Sequence, residues 1–377
     1  MIEMSSEISF DQLNNSLEEL SVETILDSDK SWTSQQANLD QRVVERLSDE
    51  DLDAISLSEY LLTTAQFKLE FYSSSTLVQN TSIFGLGAGF DFGVDACQLP
   101  TGELVAAKRV KPLTPLRRSD RSLVSDLSRR VRKVLQEIRI LKHQPLESCE
   151  SILSLMGVSW EDINGNFTTP SLVFEYAEFG TLRQYLSKSS PTLSIQEKQS
   201  LSLQVGRALL TLHNCGVCHG DIKLDNVLVV RNPTGKPTAK LADFGSSIII
   251  QPGVSPKTYW GTQLYNAPEV RLGRDQQPGV AVSTDLLFAC DIFSFGLLLY
   301  ELIHDGIPYW KTHGAKEPTI EIALKISSFE GCRNVDPNAI LVASLRQAIS
   351  LCLTPHPEQR SHLAPVLEVI TGKLEML

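Results

Sequence analysis

Residues 128–143, SRRVRKVLQEIRILKH, place apolar side chains at 131, 134, 135, 138 and 141, which is one stripe along a helix. Two shorter stripes precede it. Phe10, Leu13, Leu17 and Leu20 follow Ser9 as a cap, and Val43, Val44, Leu47, Leu52 and Ile55 run past the helix-starting SDED at 48–51. Both predict amphipathic helices that need a surface to pack on. Between about residues 76 and 177 the pattern is strand-like. ELVAAKRV (103–110) alternates after the turn LPTG, and SLVFEYA (171–177) reads as a buried strand. After Gly180 the periodicity becomes helical. QEKQSLSLQVGRALLTLHNCG ends at Gly216, a C-cap signal, and DIFSFGLLLYELIHDG (291–306) is so apolar that it predicts a central helix. KPLTPLRRSDRSLVSDLSRR and RNPTGKPTA read as loop insertions. The expectation is an α+β chain of three parts: a helical head (1–75), a small β-rich lobe with one helix (76–177) and a larger, mainly helical lobe (178–377).

Composition changes this picture little, and charge changes it more. The 377 residues are 42% hydrophobic, with no run of 18 apolar residues, so no membrane span is expected. The first ten residues, MIEMSSEISF, are acidic and polar where a secretory signal is basic and then apolar. Seven scattered cysteines predict reduced thiols in the cytoplasm, with the nucleus as an alternative address. Cys215 and Cys218 form a C-x-x-C without a second pair at zinc spacing, so they read as packing. The net charge is −11, yet residues 1–70 hold 16 Asp/Glu against four Lys/Arg, while 108–142 hold 12 Lys/Arg against three acids. The basic run lacks interleaved aromatics, which argues against nucleic acid. The expected contact is docking of the acidic head (1–75) on the basic run, or recruitment of a partner.

The chemistry lies in VCHGDIKLDNVLV (217–229), which sets Asp221 and Asn226 five residues apart behind His219. A carboxylate accepts a proton from a hydroxyl, and an amide oxygen binds a hard divalent cation. A second candidate ligand follows in LADFGSS, where Asp243 precedes Phe244 and Gly245. Upstream, Lys108 of VAAK offers phosphates an ammonium, and the glycine cluster GLGAG (85–89) offers them backbone N–H groups.

With these residues in order, and with GTQLYNAPE, DIFSFG and CLTPHPEQR following, the chain resembles a eukaryotic-type protein kinase over about residues 80–370. Lys223 and Thr262 resemble the serine/threonine enzymes, and EFGTLRQYL their tyrosine-kinase-like branch. The resemblance implies the bilobal kinase fold and transfer of the γ-phosphoryl group of ATP, with Mg, to Ser/Thr of a protein substrate. By the general protein-kinase template, Lys108 holds the α- and β-phosphates and pairs with Glu137. Asp221 takes the hydroxyl proton, Lys223 neutralises the moving phosphoryl group, and Asn226 and Asp243 hold the metal. Gly85, Gly87 and Gly89 cover the phosphates. Ala106 and Leu228 sandwich the adenine, the backbone of Glu175 and Ala177 meets its edge, and Phe174 guards the pocket behind. Asp291 braces the catalytic loop, and Glu269 pairs with Arg360. His219 packs within the loop without transferring a proton.

Two departures stand out. Most family members have an arginine, which clamps a phosphate on the activation segment, where this chain has Gly220. Activity independent of that clamp is therefore expected. The glycine loop is also irregular. Counting from Gly85 puts Phe90 at the third glycine, counting from Gly87 misplaces Gly93, and either Phe92 or Val94 covers the adenine. The same HGD pattern also resembles aminoglycoside and choline kinases, and a catalytically silent scaffold is the remaining alternative.

Overall fold

The computed structural model describes residues 59–73, 75–80, 86–88, 91–111, 120–163, 167–189, 192–250, 257–271, 280–312 and 339–372. Two compact units divide at residue 47, and every described residue belongs to the second, 48–377. The two expected helices at 10–20 and 43–55 lie outside the described residues. So does most of the acidic head, and with it the expected docking on 108–142.

The small lobe is a seven-stranded sheet: β1 (Glu70–Ser73), β2 (Val78–Gln79), β3 (Gly87–Ala88), β4 (Phe92–Gln98), β5 (Leu104–Val110), β6 (Leu155–Ile163) and β7 (Phe167–Glu175). Its order is β1-β6-β7-β5-β4-β2, with β3 paired to β4. The alternation of LVAAKRV is satisfied on both faces. Val105 and Ala107 join one apolar cluster, while Ala106 and Val110 join the other, larger one. Against the sheet packs the long helix α2 (Asp120–Leu141), numbered after a short helix α1 at residues 59–66. Val131, Val134, Leu135, Ile138 and Leu141, the stripe read from the sequence, are all buried.

Three expectations need correction. The helix starts at Asp120, eight residues before the predicted 128, so the basic insertion is helical in its second half. The hairpin β9 (Val227–Arg231)–β10 (Pro237–Leu241) absorbs RNPTGKPTA, its turn tied by Asn232 Oδ1 accepting from Thr234 N–H (3.0 Å) and Lys236 N–H (2.8 Å). The boundary at residue 75 also moves. In α1, Tyr60 is buried and Glu59 pairs with Arg139 of α2 at 2.5 Å, while β1 adds in parallel to β6, so residues 59–73 belong to the small lobe.

The large lobe gathers around α7 (Leu287–Ile303), in which every residue from Cys290 to Leu302 is buried, as its composition predicts. Helix α5 (Ile195–Asn214) starts with a capping box of Ser194 and Glu197 and ends at Gly216, with φ +70°. A fully buried leucine contributes about 1.5–3 kcal/mol, so a helix enclosed on all sides is the most costly element to disturb. No helix among the described residues is long and apolar enough to cross a membrane.

The parallel β1–β6 pair depends on one glycine. A Cβ on Gly157 would lie 2.3 Å from Glu70 O and 2.8 Å from the Tyr72 ring, whereas one on Gly87 would meet nothing within 4 Å. Gly157→Ala is expected to cost about 1–3 kcal/mol in urea unfolding, the range for overpacking, and Gly87→Ala well under that. Equal stabilities for the two variants would contradict this seating of β1.

Candidate active site

Lys108 lies on β5 and is nearly buried, which a charged ammonium tolerates only with partners. It has two. Its Nζ stands 2.9 and 2.7 Å from the Glu137 carboxylate oxygens, and 2.9 Å from Asp243 Oδ1. Burial works against the charge, but the Asp243 and Glu137 carboxylates outweigh it and hold Lys108 well above the ordinary lysine range. Glu137 projects from α2 because the apolar stripe 131–141 fixes that helix's rotation. It also accepts the Phe244 N–H at 3.3 Å, so one carboxylate joins helix, sheet and the DFG turn.

Asp243 sits at φ 64°, ψ 74°, a left-handed conformation that a short polar side chain tolerates. Its carboxyl falls to about 2, chiefly through the Lys108 charge. Its side chain stays 51% exposed, so it still faces the cleft.

Asp221 is held by four donors. Oδ2 accepts from Lys223 Nζ (2.7 Å) and Asn226 Nδ2 (2.8 Å), and Oδ1 accepts from Thr262 N–H (2.8 Å) and its hydroxyl (2.5 Å). Lys223 also reaches the Thr262 hydroxyl at 2.8 Å. Thr262 thus contacts both Asp221 and Lys223. Asn226 Nδ2 further donates to Asp221 O at 2.8 Å, so the amide nitrogen is committed to Asp221.

His219 is buried with both ring nitrogens engaged. Nε2 meets Ala242 O at 3.1 Å and Nδ1 accepts the Asp221 N–H at 3.2 Å. Burial lowers its pKa, so the neutral ring is a strut of the loop. Beneath it, Asp291 of α7 accepts the His219 N–H (2.7 Å) and the Gly220 N–H (2.9 Å), with His213 Nε2 at 3.1 Å. Burial opposes the Asp291 charge, but the hydrogen bonds from His213 and the Gly220 N–H outweigh it and keep its carboxyl low.

Gly220 is required twice over. Its φ is +79°, and a Cβ there would lie 2.5 Å from Ser246 O. The DFG turn therefore passes directly against the residue that replaces the usual arginine. Glu269 and Arg360 form the expected pair, two parallel contacts of 2.9 and 3.2 Å, and Arg360 also donates through Nε to Thr354 O at 3.1 Å.

The remaining predicted residues are mostly apolar. Ala106, Phe174, Val94, Ala177 and Leu228 all belong to the main apolar cluster. The Glu175 N–H is committed to Ser154 O (3.2 Å), whereas the Ala177 N–H takes no hydrogen bond among the described residues. Of the glycines, Gly87 pairs with Val94, and Gly85 and Gly89 lie outside the described residues. Val94 is directly opposite both Gly87 and Lys108, so it shares the lysine's face. Phe92, two residues earlier, instead sets its ring 5.0 Å from Lys108 Nζ. Sequence reasoning named this ring as a candidate over the adenine, not as a neighbour of the lysine, and it missed a cluster of cations around Asp91. The signal available was an acid beside the glycines and basic residues at 129 and 133, four apart on one helix face before Glu137.

The site fits a nucleoside triphosphate with a divalent cation. It presents apolar side chains of the main cluster, an Ala177 N–H with no hydrogen bond among the described residues, a buried ammonium, and two hard oxygen donors, Asn226 Oδ1 and Asp243. No three His, Cys, Asp or Glu side chains converge as a metal cage among the described residues. A magnesium-type ion does not need one, because phosphates and water complete its shell.

The folded carboxyl of Asp243, near 2, is below its ordinary 3.8, so its contribution is full above about pH 4 and fades as pH falls toward 2. With a discount for its exposed edge, Asp243→Asn is expected to cost about 1 kcal/mol at neutral pH and nothing near pH 2. Urea unfolding of both proteins across that window checks the sign. A cost that grows toward pH 2 would contradict the Lys108–Asp243 pairing.

Comparison with known proteins agrees with this geometry. A gdt2 protein of Dictyostelium discoideum, described as a probable serine/threonine-protein kinase, is 28% identical over 190 residues, 50% of this chain and 11% of its own length. The glycogen synthase kinase-3 homolog YGK3 of Saccharomyces cerevisiae is 35% identical over 128 residues, 34% of this chain and 31% of its own. A calmodulin-binding receptor-like cytoplasmic kinase 2 of Arabidopsis thaliana is 29% identical over 214 residues, 53% of this chain and 50% of its own. The chain thus spans from about a tenth to half of the length of these relatives. The family model described as Protein kinase domain matches residues 83–369, well over half of the sequence. The chain belongs to the protein kinase domain family.

Proposed function

We propose that this chain is an ATP-dependent protein kinase that phosphorylates serine or threonine hydroxyls of protein substrates. The observation that carries the reading is the convergence of Lys108, Glu137 and Asp243 within 2.9 Å contacts, beside an Asp221 fixed by four donors. Lys108 binds phosphate oxygens while Glu137 holds its amine in place. Lys223 places positive charge beside Asp221, where the moving phosphoryl group carries negative charge. Asp221 accepts the proton of the substrate hydroxyl as its oxygen bonds to phosphorus, and the bond to the diphosphate leaving group breaks. Asn226 Oδ1 and Asp243 hold a magnesium ion, which neutralises phosphate charge when bound. The adenine lies between Ala106 and Leu228, its edge on the Ala177 N–H.

Ser/Thr preference is supported by Lys223 and Thr262, which resemble the residues of the serine/threonine enzymes and both contact the Asp221 carboxylate. A protein substrate suits the segment 260–269, which Glu269 and Arg360 anchor and which a small-molecule kinase does not need.

The segment after the DFG turn needs no phosphate for its order in this reading. Three supports replace the missing arginine contact. The strand β11 (Ile248–Ile249) pairs with β8 (Val217–Cys218), β12 (Lys257–Tyr259) pairs with β13 (Val280–Val282), and Tyr259 is fully buried. Ser247 Oγ adds a bond to His219 O at 3.0 Å.

With labelled ATP and magnesium, the chain is expected to incorporate phosphate into itself or a peptide library, and Asp221→Asn and Lys108→Met to lower this about 10²–10⁴-fold. Incorporation unaffected by both substitutions would mean a contaminating enzyme. Phosphatase-treated protein is expected to keep its turnover within about twofold, since no phosphate orders the segment. A loss beyond about tenfold would restore the need for phosphorylation.

A further inference from the structure

We propose that Asp91 is a positioning residue that locks the nucleotide loop to the helix carrying Glu137. The inference deepens the kinase reading and rests on it.

Asp91 stands just before β4, next to the glycine-rich turn, and is buried to 7% exposure. Its carboxylate receives three cations from α2. Arg129 grips it with two contacts, Nη1–Oδ2 at 2.9 Å and Nη2–Oδ1 at 3.0 Å. Lys133 Nζ reaches Oδ2 at 2.7 Å, and Arg130 Nε lies 3.3 Å from Oδ1. The backbone joins in, because Asp91 O accepts the Lys111 N–H (2.9 Å) and Arg130 Nη1 bonds Lys111 O (2.7 Å). One carboxylate therefore ties together the loop, the end of β5 and α2. Burial pushes its pKa up, but the Arg129 and Lys133 contacts outweigh this and bring it to about 2.

The helix spacing makes this more than a local ion pair. Residues 129, 133 and 137 lie four apart on one face. The face that grips Asp91 with Arg129 and Lys133 presents Glu137 to Lys108 one turn later. The circuit then closes, since Phe92, adjacent to Asp91, sets its ring 5.0 Å from Lys108 Nζ. Asp91–Lys133, Glu137–Lys108 and Lys108–Phe92 are contacts, joined into a circuit by the α2 backbone and the Asp91–Phe92 peptide bond, so a slide or turn of α2 strains the Lys108–Glu137 pair. Without the carboxylate, three cations of α2 lose their shared counter-charge, and the contact that holds α2 to the start of β4 is lost. An exposed pair contributes little, but here the carboxylate is buried and the Arg129 contact bidentate, while the Arg129 and Lys133 side chains stay partly exposed.

The test uses the full chain with Asp91→Asn, which keeps the shape and removes the charge, and the charge-reversed triple variant Asp91→Lys, Arg129→Glu, Lys133→Glu. Backbone hydrogen exchange is read in the absence of nucleotide, and kcat and KM for ATP are measured separately. Asp91→Asn is expected to speed exchange across residues 128–138 about tenfold while 287–303 stay unchanged. It is also expected to lower kcat/KM for ATP about tenfold, and the triple variant to recover part of both losses. Exchange and kcat/KM within about twofold of the parent chain overturn the proposal. Should Asp91→Asn loosen 287–303 as well, the triple variant decides: renewed protection of 128–138 supports the lock, and its absence overturns it. A parent chain that transfers no phosphate, yet whose 128–138 loosens on Asp91→Asn, defeats the kinase reading and leaves the lock standing.

Discussion

The structure depends on keeping one buried ammonium charged. Lys108 is removed from water on β5, where an unpaired charge would cost several kcal/mol, and so two carboxylates must meet it. They come from opposite directions: Glu137 from a helix packed on the sheet, and Asp243 from a turn 135 positions along the chain. Satisfying the lysine therefore fixes the rotation of α2, the seat of the DFG turn and the approach of the small lobe to the catalytic loop. The Phe244 N–H on Glu137 extends the same constraint to the turn's next residue.

A second anchor works from below. Asp291, enclosed in the central helix, accepts the backbone N–H groups of His219 and Gly220 and so presents Asp221 upward. That geometry needs a positive φ at residue 220, and the carbonyl of Ser246 fills the space where a side chain would begin. The glycine is thus part of how the loop and the DFG turn fit together. Beyond the turn, Ile248–Ile249 pair with Val217–Cys218, and Tyr259 is fully buried.

Much of this was legible in the sequence, for identifiable reasons. The stripe 131–141 predicted a helix and its buried face, because a 3.6-residue period is local and uninterrupted. Lys108, Asp221, Asn226 and Asp243 were found from short motifs whose order constrains them together. What escaped depended on distance along the chain. The parallel pairing of β1 with β6 joins residues some 90 apart, and β12–β13 bridges a gap with no periodic signal, so neither could be read from a local pattern. The start of α2 was missed because its first turns are polar and basic, which resembles a loop. The glycine-loop register was open between Gly85 and Gly87 in the sequence, and strand pairing places Gly87 opposite Val94. Asp91 looked like an ordinary loop acid until the helix brought three cations to it.

The most direct measurement is a crystal structure of the chain with a non-hydrolysable ATP analogue and magnesium. The account predicts phosphates on Lys108, with Glu137 still paired to it, metal on Asn226 Oδ1 and Asp243, and adenine between Ala106 and Leu228. A nucleotide bound elsewhere, or Lys108 turned away from both carboxylates, would contradict it.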